Sequence, residues 1–260
     1  MARQLLILLL WALGVAASRA AEPPLVAAAA DLKFALTTLA EDYTSRAGQP
    51  VKLAFGSSGT FAMQIEQGAP VELFLSADED YVLALANKGL TRDAGRLYAI
   101  GRIALFIPHD SALAGDDAFA RLVAAVRDGR LRRFAIANPA HAPYGRAARE
   151  ALMHLGLWAA LEPHLVLGEN AAQAMQFASS GASDGGMVPL SLAMAPALAP
   201  LGRFERVPEA WHAGQPLRQR MALTRRAGPV ATDFYAYLAS PEARAVFERF
   251  GFTLPLDAAR

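Results

Sequence analysis

Four short segments of the chain combine small or polar residues with the predicted start of a helix, which is a pattern that suits anion binding. They are Ala30-Asp31-Leu32, Gly56 to Thr60 (GSSGT), Ala142 to Arg146 (APYGR) and Gly168 to Ala171 (GENA). The first N–H groups of a helix have no acceptor within it and lie at the positive end of its dipole. The GSSGT segment adds hydroxyl donors, and its glycines allow the backbone to approach a ligand closely.

Helix capping explains any one of these segments by itself, because Ser, Thr, Asp and Asn are common N-caps. Their number and their spread along the chain favour a shared binding site over a set of unrelated caps. The sequence therefore predicts a small anion held by hydroxyl and backbone N–H donors.

Patterns typical of enzymes are missing from the sequence. There is no cysteine nucleophile, no Gly-x-Ser-x-Gly elbow, no His-Glu-x-x-His helix and no phosphate loop ending in Gly-Lys-Ser/Thr. The five histidines lack the spacing of metal ligands, and His141, the one near a candidate segment, is more often structural as a lone histidine. Ser58 would be a nucleophile if a base approached it. We expect a protein that is not an enzyme, with no cofactor and no site for a bare metal cation.

Composition and the N-terminus indicate an exported protein. Arg3, the uncharged apolar run from Leu5 to Ala17, and Ser18-Arg19-Ala20 form the pattern of a signal peptide over residues 1–20. The absence of cysteine fits a bacterial periplasm and excludes a lipid-modified cysteine. The formal charge of +1, from 25 basic and 24 acidic residues, gives no reason to expect nucleic acid or an anionic membrane as a partner.

Apolar strand-like runs alternate with amphipathic helical patterns along the rest of the chain, which predicts an α/β fold with parallel sheets covered by helices. Examples are the run from Leu25 to Ala30 and the helical pattern that follows it. The segment from Leu97 to Ile107 is predicted as one long strand, and Leu217 to Leu223 as another.

Two α/β lobes joined by crossing strands would enclose a cleft, where ligands bind beyond the carboxyl ends of the strands. We place the crossings near Gly101 to Phe106 and near Pro208 to Leu223. The predicted division is residues 21–104 with 218–260 for the first lobe, and residues 105–217 for the second.

The motifs in these segments resemble those of the periplasmic molybdate-binding proteins of ABC transporters. The resemblance is carried by Phe55 to Thr60 (FGSSGT), Gln64 to Pro70 (QIEQGAP), Leu73 to Asp78 (LFLSAD) and Asn138 to Gly145 (NPAHAPYG), and it extends over almost the whole exported chain. It implies a type II periplasmic-binding-protein fold and a tetrahedral dianion held between the lobes. It also implies periplasmic localisation, a membrane permease as partner and a monomer.

The resemblance also implies ligand-binding positions, and the agreement there is partial. Ser58 matches a ligand-binding serine, and Tyr144 and Ala171 match positions that supply backbone N–H groups. Asp31 stands where the family usually has a serine, and Pro189 where many members have a tyrosine. The predicted ligand-binding set is thus Asp31, Ser58, Tyr144, Ala171 and Pro189, with Ser57, Gly59 and Asn170 in support.

Asp31 sets the main problem for this assignment, since an ionised carboxylate about 4 Å from a dianion would cost several kcal/mol. Asp31 could turn away and cap its own helix, which is the alternative we favour, with the Tyr144 phenol turned inward to replace the lost hydroxyl. It could instead be protonated and donate to the ligand. Third, the chain could bind a different solute, with a cationic or hydroxyl group meeting Asp31. Sulfate, phosphate or a small organic anion are the rival ligands on the same fold. A secreted enzyme on the same scaffold is a further alternative.

Overall fold

Two five-stranded mixed sheets, each covered by helices on both faces, make up the part of the chain described by the computed structural model, residues 22–255. The predicted signal peptide, residues 1–20, lies outside these residues. Each sheet with its helices forms one α/β lobe. The strands are β1 Leu25–Ala29, β2 Lys52–Gly56, β3 Val71–Ser76, β4 Arg96–Ile100, β5 Ile103–Pro108, β6 Phe134–Ala137, β7 Leu165–Gly168, β8 Gly186–Pro189, β9 Gly202–Arg206 and β10 Arg218–Leu223.

The helices lie between these strands and after the last one. They are α1 Lys33–Ala47, α2 Ser58–Glu66, α3 Glu79–Asn87, α4 Ala118–Arg127, α5 Pro143–His154, α6 Trp158–Leu161, α7 Ala171–Ser179, α8 Leu190–Ala193, α9 Pro229–Tyr237 and α10 Pro241–Arg249. Single 3-10 turns cover Ala30–Leu32, Glu162–His164, Ala199–Leu201 and Glu209–His212.

The first sheet has the strand order β2-β1-β3-β10-β4, and the second has the order β7-β6-β8-β5-β9. In the first sheet β1 runs parallel to β2 and β3, while β10 is antiparallel to β3 and β4. In the second, β6 runs parallel to β7 and β8, while β5 is antiparallel to β8 and β9. The parallel strands of both lobes therefore end in turns that lead into helices.

Strand β1 shows why the short apolar runs of the sequence form central strands. Val26 and Ala28 pack into the cluster that contains α1, α9 and α10, whereas Ala27 packs with α2 and α3 on the opposite face. Successive side chains of a strand point to opposite faces, so a strand covered on both sides must be apolar at every position. The predicted α/β architecture is confirmed.

Two connections join the lobes, and one of them differs from the prediction. The segment predicted as one long strand, Leu97 to Ile107, is two strands in different sheets, because the chain turns at Gly101 and Arg102 between β4 and β5. Residues Ile103 and Ala104 consequently belong to the second sheet, although the predicted boundary put them in the first lobe. The return connection covers residues 207–217, between β9 and β10. The predicted strand from Leu217 is present as β10.

The two lobes are in contact through their apolar residues. Ala29, Ala30 and Ala77 of the first lobe belong to the same buried cluster as Tyr144 and Ala171 of the second. Within residues 22–255, no helix has the length and apolar character needed to cross a bilayer.

Candidate functional site

Asp31 lies at the boundary between the lobes, in the 3-10 turn that follows β1, with 1% of its surface exposed. Its Oδ2 accepts hydrogen bonds from Tyr144 Oη at 2.9 Å and from Gln219 Nε2 at 2.6 Å. Its Oδ1 is buried, and no hydrogen-bond partner for it exists among residues 22–255. One oxygen of the carboxylate is thus satisfied and the other is not.

The donors to Asp31 belong to a buried hydrogen-bond network of polar side chains. Tyr98 Oη donates to Gln219 Oε1 at 2.7 Å, and Gln219 Nε2 also donates to Tyr144 Oη at 3.1 Å. This network links β4 and β10 of the first lobe to α5 of the second. A separate contact, from Ser191 Oγ at the start of α8 to the backbone oxygen of Asp31, measures 2.8 Å.

Burial raises the pKa of the three titratable side chains in this hydrogen-bond network, Asp31, Tyr98 and Tyr144. Loss of water raises the pKa of Asp31 from its ordinary value of 3.8 to about 6, although the hydrogen bonds from Gln219 and Tyr144 act in the opposite direction. Burial, together with the nearby Asp31 carboxylate, raises the pKa of Tyr98 and of Tyr144 well above the ordinary value, so both phenols stay neutral.

The favoured alternative for Asp31 is wrong, because its carboxylate does not turn away to cap its own helix. The backbone N–H groups of Asp31 and Leu32 lower its pKa, but neither makes a hydrogen bond of normal geometry to Oδ1. The side chain instead crosses to the other lobe. The Tyr144 phenol is turned inward, and it meets Asp31.

Ser58 is fully buried at the first position of α2, and its Oγ accepts the backbone N–H of Ala77 at 2.9 Å. The hydroxyl hydrogen remains available to a ligand, as does the Ser58 backbone N–H, which has no acceptor within the helix. The contact ties the turn after β2 to the turn after β3.

Ser57 and Gly59 flank Ser58 and touch the second lobe at His141. Ser57 Oγ caps α2 through Thr60 N and is hydrogen bonded to His141 Nδ1 at 2.9 Å. Gly59 N donates to the backbone oxygen of His141 at 3.2 Å. A Cβ atom on Gly59 would lie 2.7 Å from that oxygen, so this close approach of the lobes requires glycine.

The remaining predicted residues lie at the starts of helices in the second lobe. Asn170 caps α7 by accepting from Ala172 N and Gln173 N, and Ala171 is the first residue of that helix. Tyr144 is the second residue of α5, after Pro143, so its N–H also has no acceptor within the helix. Pro189 ends β8 and precedes α8, and it has no N–H to offer.

The structure brings most of the predicted set together at one interlobe position. The Ala30–Leu32 turn contacts β2, α7 and α8, and Asp31 contacts Tyr144 directly. Ser58 is hydrogen bonded to Ala77, and Ala77 belongs to the buried cluster that contains residues of both lobes. The turn that carries Asp31 therefore contacts α7 and, through Tyr144, the start of α5, while the start of α2 contacts His141 just before α5.

Gln219, Tyr98, Ala77 and Ser191 are contacts that the sequence analysis missed. Gln219 is fully buried within the β10 segment RQRMAL. The signal that could have identified it is its spacing of two from Leu217 and Met221, which puts the glutamine on the same strand face as these apolar residues. Nothing in the local sequence marks Tyr98 or Ser191, because their partners are distant along the chain.

An ion pair closes the lobes beside this position. Arg146 of α5 contacts the Asp78 carboxylate at the start of α3, and its Nη1 donates to Tyr81 Oη at 3.0 Å. The described residues contain no group of three or more His, Asp or Glu side chains placed to hold a metal ion. The interlobe position therefore offers donors for an anion and one buried carboxylate.

Comparison with known proteins assigns a family. Residues 24–253 match the model of the family described as bacterial extracellular solute-binding protein. The chain belongs to this family. It is 32% identical to the molybdate-binding protein ModA of Rhodobacter capsulatus and 34% identical to that of Azotobacter vinelandii. Each match covers 92% of this chain and 92% of the relative.

A solved structure has the same architecture as this chain. The periplasmic molybdate-binding protein of Azotobacter vinelandii superposes with a TM-score of 0.80 at 30% identity, over 89% of this chain and 99% of that one. The two-lobed solute-binding fold predicted from the motifs is confirmed by this match, as is the family resemblance itself.

Proposed function

We propose that this chain is the periplasmic component of an ABC transporter, which captures molybdate or tungstate between its lobes and delivers it to the membrane permease. Relatives that are 32% and 34% identical over 92% of the chain are molybdate-binding proteins. The observation that carries the proposal is the interlobe position, where the buried Ser58 hydroxyl begins α2 and the residues on either side of it contact His141, just before α5 of the other lobe. The donors there are this hydroxyl and the N–H groups of the helix starts. These are neutral donors, which suit a small tetrahedral anion.

The proposed ligand contacts are the Ser58 hydroxyl and the backbone N–H groups of Ser58, Tyr144 and Ala171. The ionised side chain of Asp31 supplies no hydrogen-bond donor, and Pro189 supplies none because it has no backbone N–H. Ser57, Gly59 and Asn170 act in support, because they hold the starts of α2 and α7 in place.

The lobes close over the ligand, and the permease recognises the closed form. We place the boundary between the two lobes after Gly101 and Arg102 and again within residues 207–217, where the polypeptide passes from one sheet to the other. The protein acts as an exported monomer, after removal of residues 1–20, and it catalyses no reaction.

Isothermal titration calorimetry with molybdate, tungstate, sulfate and phosphate tests the proposal. We expect one-to-one binding of molybdate and tungstate, with sulfate and phosphate weaker by at least about a hundredfold. The buried carboxylate of Asp31 favours the second candidate, a binding protein for a different solute. Heat from phosphate or sulfate, with none from molybdate, would establish that candidate instead.

A further inference from the structure

The hydrogen-bond polarity around Asp31 determines which of its oxygens can carry a proton. Tyr98 Oη donates to Gln219 Oε1, so the two hydrogens of Gln219 Nε2 face Asp31 Oδ2 and Tyr144 Oη. The Tyr144 hydroxyl accepts from Nε2, and its single hydrogen therefore goes to Oδ2. Oδ2 receives two donors and cannot hold a proton of its own. A proton on Asp31 must lie on Oδ1, the buried oxygen that has no partner among residues 22–255.

Among residues 22–255, no Lys, Arg or His side chain makes an ion pair or hydrogen bond to the Asp31 carboxylate. The elements packed on the Ala30–Leu32 turn are α1, β2, α7 and α8, of which α7 and α8 carry no charged residue. Lys33 on α1 and Lys52 on β2 are exposed. The phenols of Tyr98 and Tyr144 are neutral.

The charged side chains close to Tyr144 and Gln219 along the chain are engaged with other residues. Beside Tyr144, Arg146 binds Asp78, and His141 contacts Ser57 and lies 3.5 Å from Glu169. Beside Gln219, Arg218 and Arg220 both bind Glu79. An ionised Asp31 would thus face a bound dianion without a counter-charge, and repulsion at this buried position would oppose binding.

We propose that Asp31 binds the oxyanion as a neutral carboxylic acid whose Oδ1–H donates to a ligand oxygen, so that one proton from solvent is captured with each dianion. The inference rests on the proposed function and names Asp31 as the residue that makes capture depend on pH. It accounts for the unpartnered Oδ1 and removes the repulsion in one step. The raised pKa of Asp31, about 6, makes this protonation accessible near neutral pH.

Calorimetric titration of the purified protein with molybdate from about pH 6 to about pH 8 tests the inference, in two buffers with different ionisation enthalpies. Molybdate in solution is the dianion over this range, so any proton taken up is bound by the protein. We expect uptake of about one proton per molybdate at pH 8, and an affinity that falls about tenfold per pH unit above about pH 7.

The variant Asp31→Asn mimics the neutral acid, because its oxygen can accept from Tyr144 and Gln219 while its amide donates to the ligand. We expect this variant to bind without proton uptake, with constant affinity across the range, and at least about tenfold more tightly than the unsubstituted protein at pH 8. The control Asp128→Asn removes an exposed carboxylate paired with Arg130 and should keep the original pH profile.

Molybdate binding with no proton uptake and a constant affinity would overturn the inference and leave the proposed function intact. A folded Asp31→Asn protein that binds at no pH would also overturn it, since the carboxylate would then be needed in its charged form. If neither molybdate nor tungstate binds at any pH, the proposed function fails and this inference fails with it. Should Asp31→Asn not fold, the proton count of the unsubstituted protein decides alone.

Discussion

The phenol of Tyr144 donates a 2.9 Å hydrogen bond to the carboxylate of Asp31, and this bond joins the two lobes at the position where their helix N-termini meet. Asp31 follows β1, an interior strand of the first sheet, and Tyr144 lies in the first turn of a helix of the second lobe. The bond is buried, so its loss has consequences for folding, for the Asp31 proton and for closure of the lobes.

Replacing Tyr144 by phenylalanine removes this bond and leaves Gln219 as the one side-chain donor to Asp31. We expect a loss of about 1–2 kcal/mol in the free energy of unfolding at neutral pH, measured by urea denaturation. The pKa of Asp31 should rise further, because the Tyr144 bond lowers it. The matched control is Tyr43→Phe, whose buried hydroxyl makes a long contact of 3.4 Å to Val230 O. Equal losses in the two variants would show that the interlobe bond has no special weight.

Protonation of Asp31 should make the protein more stable at mildly acidic pH. The pKa of Asp31 in the folded protein, about 6, lies above its ordinary value of 3.8, so between these values the folded state binds more protons than the unfolded state. The contribution of Asp31 to the free energy of unfolding is therefore fully present below about pH 3.8 and is lost as the pH rises through about 6. The loss amounts to about 3 kcal/mol for a fully buried group.

The difference in unfolding free energy between the unsubstituted protein and Asp31→Asn isolates this effect. Relative to the variant, the unsubstituted protein should lose about 2 kcal/mol of this total between about pH 4 and about pH 7. Hydrogen bonds from arginines and backbone groups hold the pKa of Asp184 and of Glu79 below the ordinary value despite their burial. Both proteins contain these carboxylates, so their opposite contribution cancels. A constant difference across this range would contradict the prediction.

Replacing Ser58 by alanine should weaken molybdate binding by about 1–3 kcal/mol, since a buried ligand oxygen would lose its donor. Calorimetric affinity measures this effect. The variant also leaves the Ala77 N–H without its 2.9 Å acceptor, so stability must be measured in parallel. Ser45→Ala, on the exposed side of α1, is the control and should bind normally. A stable Ser58→Ala protein with unchanged affinity would place the ligand elsewhere.

Replacing Gly59 by alanine should oppose closure of the lobes. The added Cβ would lie 2.7 Å from the backbone oxygen of His141, which belongs to the other lobe. We expect at least about a tenfold loss of molybdate affinity and a larger radius of gyration in small-angle scattering.

The control for this change is Gly228→Ala, where the nearest atom to an added Cβ is a Glu72 side-chain oxygen at 3.3 Å. Gly228 precedes α9, so this substitution should leave affinity and shape unchanged. Normal affinity in Gly59→Ala would show that the two lobes need not approach at this point.

Local sequence was sufficient for most elements, because their determinants lie within each segment. The apolar run from Leu25 to Ala30 is present as β1 Leu25–Ala29, and the strand predicted from Leu217 to Leu223 is present as β10 Arg218–Leu223. The prediction of one strand from Leu97 to Ile107 is wrong. Both β4 and β5 are largely apolar, so the local pattern does not separate them, and the turn at Gly101 depends on the two different sheets that the strands join. An added Cβ at Gly101 would lie 2.3 Å from Tyr144 Oη, which is a tertiary contact.

The α/β class, the family and the segments where helix N-termini meet small or polar residues could be predicted from the amino-acid sequence, because periodicity, caps and motifs are local properties. The tertiary structure decided the environment of Asp31, whose partners Tyr144 and Gln219 lie 113 and 188 positions away along the chain. The position of a side chain and the energy of its charge depend on what packs around it. No local pattern at Asp31 could therefore show that its carboxylate is buried, that one of its oxygens has no hydrogen-bond partner among the described residues, and that its pKa is raised to about 6.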